Sequence, residues 1–312
     1  MDLFEKLGAD IEARWLEKNY NEDELPAIAA EELKRADIPS KISAWDVIEW
    51  SITEPELPPQ RDLPGRFGEP PITIFSGPRF HIDVYFWFEG TTSIHQHAFC
   101  GAFQVLMGSS IHSWHEFECR EAVNTFCEIG DMSLKVCELL EIGAVQEIRA
   151  GKQYIHSLFH LEQPSATIVV RTDRSPLHLP QYEYFKPGLA IDTFFKQPTT
   201  TKKLQALSAL FRAKHADADR IAAALLRRSD LQTSFTILSD IRALLKSDRI
   251  SHLFKLAVPK ERFSEVLKLV RERHGASADV LTAVFEEFDV ATSIQHVRFC
   301  DTSKREPIKP TF

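Results

Sequence analysis

Phe80-His81-Ile82-Asp83-Val84-Tyr85-Phe86-Trp87-Phe88 alternates an aromatic or aliphatic residue with a mixed set, residue by residue. Side chains of an extended strand point to opposite faces in turn. Phe80, Ile82, Val84, Phe86 and Phe88 therefore form a core face. His81, Asp83, Tyr85 and Trp87 form the other, which either lines a pocket or lies under a helical cover. The chain continues Glu89-Gly90-Thr91-Thr92-Ser93-Ile94-His95-Gln96-His97. His95 and His97, two apart, share one strand face and can reach one point. A third histidine, His156, follows Gly151-Lys152-Gln153-Tyr154-Ile155 beside another β-rich stretch. Three convergent neutral imidazoles suit a divalent first-row metal.

Other short β-prone runs surround this segment: 72–75, 93–97, 103–107, 110–117, 132–140, 144–148 and 167–172. Gly90, Gly108, Gly130, Gly143 and Gly151 punctuate them. Many short strands at close spacing, with no helical pattern between them, predict a β-sandwich or barrel.

Helical periodicity lies on either side. Leu3, Leu7, Ile11 and Trp15 recur at helical spacing, and Ser40 is placed to cap a short helix ending at Trp50. Six prolines in 54–71 read as a linker or strap. The helical period returns after about residue 201, and Gly275 is placed to end a helix near Arg273, with a last one to Val290. The expected organisation is an N-terminal helical segment and strap over 1–59, a barrel carrying the site over 60–190, and a helical region over 191–312.

Composition narrows the classes. The net charge of −8 arises from −9 over 1–60 and −5 over 61–172 against +6 over 173–312, which is mildly basic. Its charges alternate in sign along helices, so nucleic acid is not an expected partner. No apolar run reaches about 18 residues, so no membrane span is expected. The first residues do not read as a secretory leader. Five cysteines without a CxxC pair predict reduced thiols and a cytoplasmic protein.

The spacing Gly90…His95-x-His97…Gly101…Gly108 resembles the first motif of the cupin superfamily. One residue fewer separates Gly90 from His95, and Gly101 stands where the superfamily has a metal-binding glutamate. His156 and His160 match the ends of the second motif, whose last residue is usually Asn. The resemblance implies a mainly β double-stranded β-helix, or cupin barrel, flanked by an N-terminal helical segment and a C-terminal all-α region.

Within it, Phe80 to His97 and Glu162-Gln163-Pro164 are similar to the thiol dioxygenases of the cysteine dioxygenase type. That likeness implies a three-histidine ferrous site on His95, His97 and His156 without the glutamate. The family's Ser, His and Tyr on the last strand are here Thr167, Val169 and Arg171, and its carboxylate-binding arginine would fall near Pro71. Arg66 and Arg79 are the nearest arginines. The likeness thus carries the metal further than it carries cysteine.

The expected activity is a non-haem iron dioxygenase reaction on a small chelating substrate, thiol or anionic, with O2. Zn, Mn, Ni and Cu suit the donor set as well as Fe(II). Arg171 is the candidate for binding an anionic group, Tyr154 for lining the pocket, and Gln104 for bonding a bound oxygen species. His160 is a fourth ligand, an outer hydrogen-bond donor or a structural histidine. His112 and His115 fall on opposite strand faces and read as structural, as does Cys100. A metal-dependent isomerase or lyase, and a ligand-binding protein signalling through its helical region, are the alternatives; a homodimer is compatible with all three.

Overall fold

The computed structural model describes residues 2–63, 68–88, 90, 92–195, 197–246, 260–281 and 283–285. Arg66, Cys300 and Val290 lie outside the described residues. The chain forms two compact units. The first holds 1–118, 132–184 and 191–194; the second holds 119–131, 185–190 and 195–312.

In the first unit three helices precede the strands: α1 (Asp2–Glu17), α2 (Leu25–Ala36) and α3 (Ala44–Thr53). Helix α3 starts at Ser43, not at Ser40. Ser43 and Asp46 exchange side-chain and backbone bonds in a capping box, while Ser40 ends a single 3-10 turn, Ile38–Ser40. Such a cap contributes about 1 kcal/mol.

Eleven strands follow. The runs expected from sequence become β1 (Pro71–Ser76), β2 (Phe80–Trp87), β3 (Ile94–His95), β4 (Gly101–Met107), β5 (Ser110–Asn124), β6 (Cys127–Leu140), β7 (Val145–Ile148) and β9 (Ser165–Thr172). The structure adds β8 (Ile155–His160), β10 (Glu183–Phe185) and β11 (Leu189–Ile191).

One sheet has the order β1-β2-β9-β4-β7. The other closes in the order β10-β11-β6-β5-β8-β3. This is the double-stranded β-helix, with helices before and after it. The described strands lie between Pro71 and Ile191, and β5 and β6 each run through both units.

Phe4, Leu7, Ile11, Leu25 and Leu33 of α1 and α2 form one buried cluster with Ile72, Phe80, Ile82, Val84, Phe86, Ile168 and Val170 of the first sheet. The apolar face of β2 is thus covered by these helices, which cannot leave without exposing it. The Pro-rich strap lies along edge strand β1. The Gln60 amide donates to the Thr73 carbonyl (2.9 Å) and accepts from the Thr73 N–H (3.0 Å), acting as one extra rung.

The second unit carries α4 (Pro198–Arg212), α5 (Ala218–Leu226), α6 (Leu231–Lys246) and α7 (Lys260–His274). Leu207, Ala222, Leu226, Leu231, Ile237, Leu238 and Val270 are buried. Gly275 has φ +59° and its N–H bonds the Arg271 carbonyl (3.0 Å), closing α7 where expected. No described helix is long and apolar enough to cross a membrane. Cys100, Cys127 and Cys137 are free thiols.

Candidate metal centre

His95 ends β3 and is the direct antiparallel partner of His156 on β8. His97, two residues on, is held by a single parallel bridge to Ala150, and its carbonyl accepts the Gly151 N–H (2.8 Å). The three rings therefore meet from two paired strands and a bridged extension. One ligand atom from each lies within 4.8 Å of the others. Exposure is 4 % for His95, 8 % for His97 and 4 % for His156.

Burial lowers all three imidazoles below their ordinary pKa. For His97 the effect is large, with the neighbouring charges of His95 and Arg171 adding to it. For His156 it is also large, with His95, His97, His112 and His115 adding. For His95 the Ser93 carbonyl partly offsets it. All three are neutral near pH 7, which is the ligating form.

The donor set fits a divalent transition ion. His95 Nδ1 donates to the Ser93 carbonyl (2.8 Å), which leaves the lone pair on Nε2. His97 Nε2 faces His156 Nε2 at 2.9 Å. Two nitrogens each about 2.1 Å from one ion, set near a right angle, stand about 3 Å apart. His156 Nδ1 is buried with no hydrogen-bond partner.

Gly101 stands where the motif that this segment resembles has a glutamate. A Cβ there would stand 1.9 Å from the Val170 carbonyl oxygen, so the paired strand β9 leaves room for no side chain at all. Among the described residues the cluster comprises three histidines and no carboxylate.

The histidines open onto a cavity of about 270 Å³. Tyr85 and Trp87 line it from the mixed face of β2, and Thr167, Val169 and Arg171 line it from β9. Arg171, the candidate for binding an anionic group, lies on this cavity wall.

Gln104 does not. Strand alternation puts Phe103 and Val105 in the cluster between the sheets, and Ala102 and Leu106 in the cluster under the helices. Gln104 shares the parity of the latter, and its Nε2 donates to the Gly143 carbonyl (3.3 Å). It cannot bond an oxygen species in the cavity.

Tyr154 touches the centre but does not line the cavity. Its ring packs 4.4 Å from that of His156, and its hydroxyl bonds His112 Nε2 (3.0 Å). His112 Nδ1 in turn bonds Glu138 Oε1 (3.0 Å). Tyr154 and His112 back the ligands rather than face a substrate. His160 shares a strand face with His156 but stands apart from the triad. Its Nδ1 bonds Ser110 (3.0 Å) and Ser165 (2.8 Å), and its ring stacks on Trp87 at 5.0 Å. Cys100 is a buried thiol pushed up to about 12 by burial.

Sequence reasoning missed Arg174, Thr92, Gln181 and Phe194, which also line the cavity. Arg174, Gln181 and Phe194 lie on irregular segments without period or motif, and Thr92 stands at a position of the Gly90–His97 motif that the motif does not specify.

No family model matches the chain, and no curated protein does. Solved structures give partial matches. A cupin-2 domain protein from Shewanella frigidimarina is 17 % identical, covering 33 % of this chain and 79 % of that one at a TM-score of 0.22. A hydroquinone dioxygenase from a Sphingomonas species is 11 % identical over 35 % and 68 %, at 0.28. An oxalate decarboxylase variant from Bacillus subtilis is 14 % identical over 32 % and 23 %, at 0.22. These neighbours are cupin-domain proteins, but likeness at these scores carries no weight for function; the fold rests on the strand order above.

Proposed function

We propose that this chain is a metal-dependent oxygenase, with ferrous iron held by His95, His97 and His156, acting with O2 on a small chelating substrate that brings an anionic donor such as a thiolate. The observation that carries the reading is the convergence of three buried neutral imidazoles, their ligand atoms within 4.8 Å of one another, on the wall of a cavity, with no carboxylate in the set. A bound ferrous ion would supply a coordination site for substrate beside one for O2. The chain's own residues do the rest. The three imidazoles cancel none of a bound cation's charge, so an anionic donor is favoured beside them. The Ser93 carbonyl fixes the tautomer and tilt of His95. Phe99, Phe103, Leu158 and Val169 give the cavity an apolar wall. Arg171 supplies a fixed positive charge for a second group on the substrate.

The test is O2 consumption by iron-reconstituted protein across a panel of thiols and chelating acids. Uptake that needs both iron and one substrate class, and that His97→Ala abolishes, is the expected result. Turnover of a panel member without O2 would contradict the oxygenase reading and point to a lyase or isomerase instead.

A further inference from the structure

His156 differs from His95 in what its second nitrogen does. His95 Nδ1 donates to the Ser93 carbonyl (2.8 Å), whereas His156 Nδ1 is buried without a hydrogen-bond partner. A metal-bound imidazole ordinarily takes the plane of its ring from the bond its other nitrogen donates. Strand pairing with His95 and Trp114 fixes the backbone of His156 but not its side-chain torsions. The plane of its ring is therefore set by packing. The Tyr154 ring lies 4.4 Å away, centre to centre, and the Phe103 ring 6.2 Å away. The Tyr154 ring also lies nearly parallel to that of His97 at 6.2 Å, so one phenol backs two of the three ligands.

Tyr154 is itself held from behind. Its hydroxyl bonds His112 Nε2 (3.0 Å), and His112 Nδ1 bonds Glu138 Oε1 (3.0 Å). Glu138 also accepts from Gln146 Nε2 (3.0 Å), which ties β6 of one sheet to β7 of the other. An ionised carboxylate only accepts. His112 therefore donates through Nδ1, its Nε2 carries the lone pair, and the Tyr154 hydroxyl donates to it. One half-exposed carboxylate thus sets the sense of both bonds. Filling the core does not call for this chain. His112 is fully buried and Tyr154 nearly so, and apolar side chains of the same shape would occupy the space without a desolvation cost.

We infer that Glu138, His112 and Tyr154 are positioning residues for the metal ligand His156. The hydrogen-bonded chain fixes the plane of the Tyr154 ring, and that ring fixes the plane of the imidazole in place of the bond that Nδ1 lacks. What the chain controls is how tightly the three histidines hold a divalent ion. The inference rests on the metal-centre part of the proposed function, and not on the reaction with O2 or on the substrate.

Cobalt(II) titration of the full chain, in competition with a chelating dye and with visible spectra recorded at saturation, tests it. Tyr154→Leu, which removes the ring, should weaken cobalt binding about tenfold to hundredfold and change the visible bands. Tyr154→Phe and Glu138→Ala keep the ring but release it, and each should weaken binding about threefold to tenfold. Because both act through one chain, the double variant should bind within about twofold of the weaker single one. Glu138→Gln, whose carbonyl oxygen still accepts from His112, should recover most of the affinity lost in Glu138→Ala. Metal-free melting temperatures separate positioning from packing: a merely structural chain would lower them and leave cobalt affinity unchanged. Glu138 is half-exposed, so its variants serve even if those of Tyr154 fail to fold. Wild-type affinity in Glu138→Ala and Tyr154→Phe, or losses that multiply in the double variant, would overturn the inference and leave the metal centre standing. Wild-type protein that binds no cobalt, or binds it as well after His97→Ala, would remove the metal centre and the inference with it.

Discussion

The Cα of Gly101 faces the Val170 carbonyl across β4 and β9 so closely that a Cβ would come within 1.9 Å of that oxygen. The missing carboxylate is therefore a property of the strand pairing as well as of the codon. Gly101→Glu cannot add a fourth ligand without moving β9. We predict a loss of about 2–4 kcal/mol for Gly101→Ala and at least as much for Gly101→Glu, read from urea unfolding. A folded Gly101→Glu protein with wild-type stability would contradict this geometry.

Metal and fold are coupled through the same histidines. His156 comes from a segment 59 residues beyond His97, so a bound ion ties β3, the turn after it and β8 together. Chelation should lower the melting temperature, and re-addition of a divalent first-row ion should restore it in proportion to its concentration over Kd. His97→Ala should melt at the same temperature with and without chelator.

Gln104 gives a negative control. Its Oε1 is buried without a partner and its one donated bond is long. Gln104→Met should therefore keep the metal and any turnover, and change stability by less than about 1 kcal/mol or raise it. A large loss of turnover with metal retained would return Gln104 to the cavity.

His160 sets part of the acid response. Burial pushes it down to about 4, whereas an unfolded chain titrates near 6.5. Between about pH 6.5 and 4 the unfolded chain binds a proton that the folded one does not, so stability falls as pH falls through that window. His160→Gln should flatten this fall by close to one proton in the slope of unfolding free energy against pH. An unchanged slope would show that His160 is not the group responsible.

Much of this was legible in the sequence because it follows from alternation. The two faces of β2 could be read at once, and His95 with His97 had to share a side. The cavity side of β9 was legible too, through Thr167, Val169 and Arg171. Gln104 was misplaced because its strand start was set at Phe103 without a register, and parity on β4 is fixed only by pairing with β9 and β7. His160 was ambiguous because sharing a face does not give distance: Leu158 lies between it and His156 on that face. The strap, β10 and β11 carry no period, so Arg174 and Gln181 became visible only once the chain was folded. That α1 and α2 cover the apolar face of β2 was not legible either, because nothing in their helical period names the surface they pack on.

Elemental analysis of the purified full chain from cells supplied with iron and other first-row metals tests the central claim most directly. The account predicts close to one divalent transition ion per chain, lost in His95→Ala, His97→Ala and His156→Ala but kept in His160→Gln. Metal-free wild-type protein that still fails to bind iron or zinc on titration would contradict it.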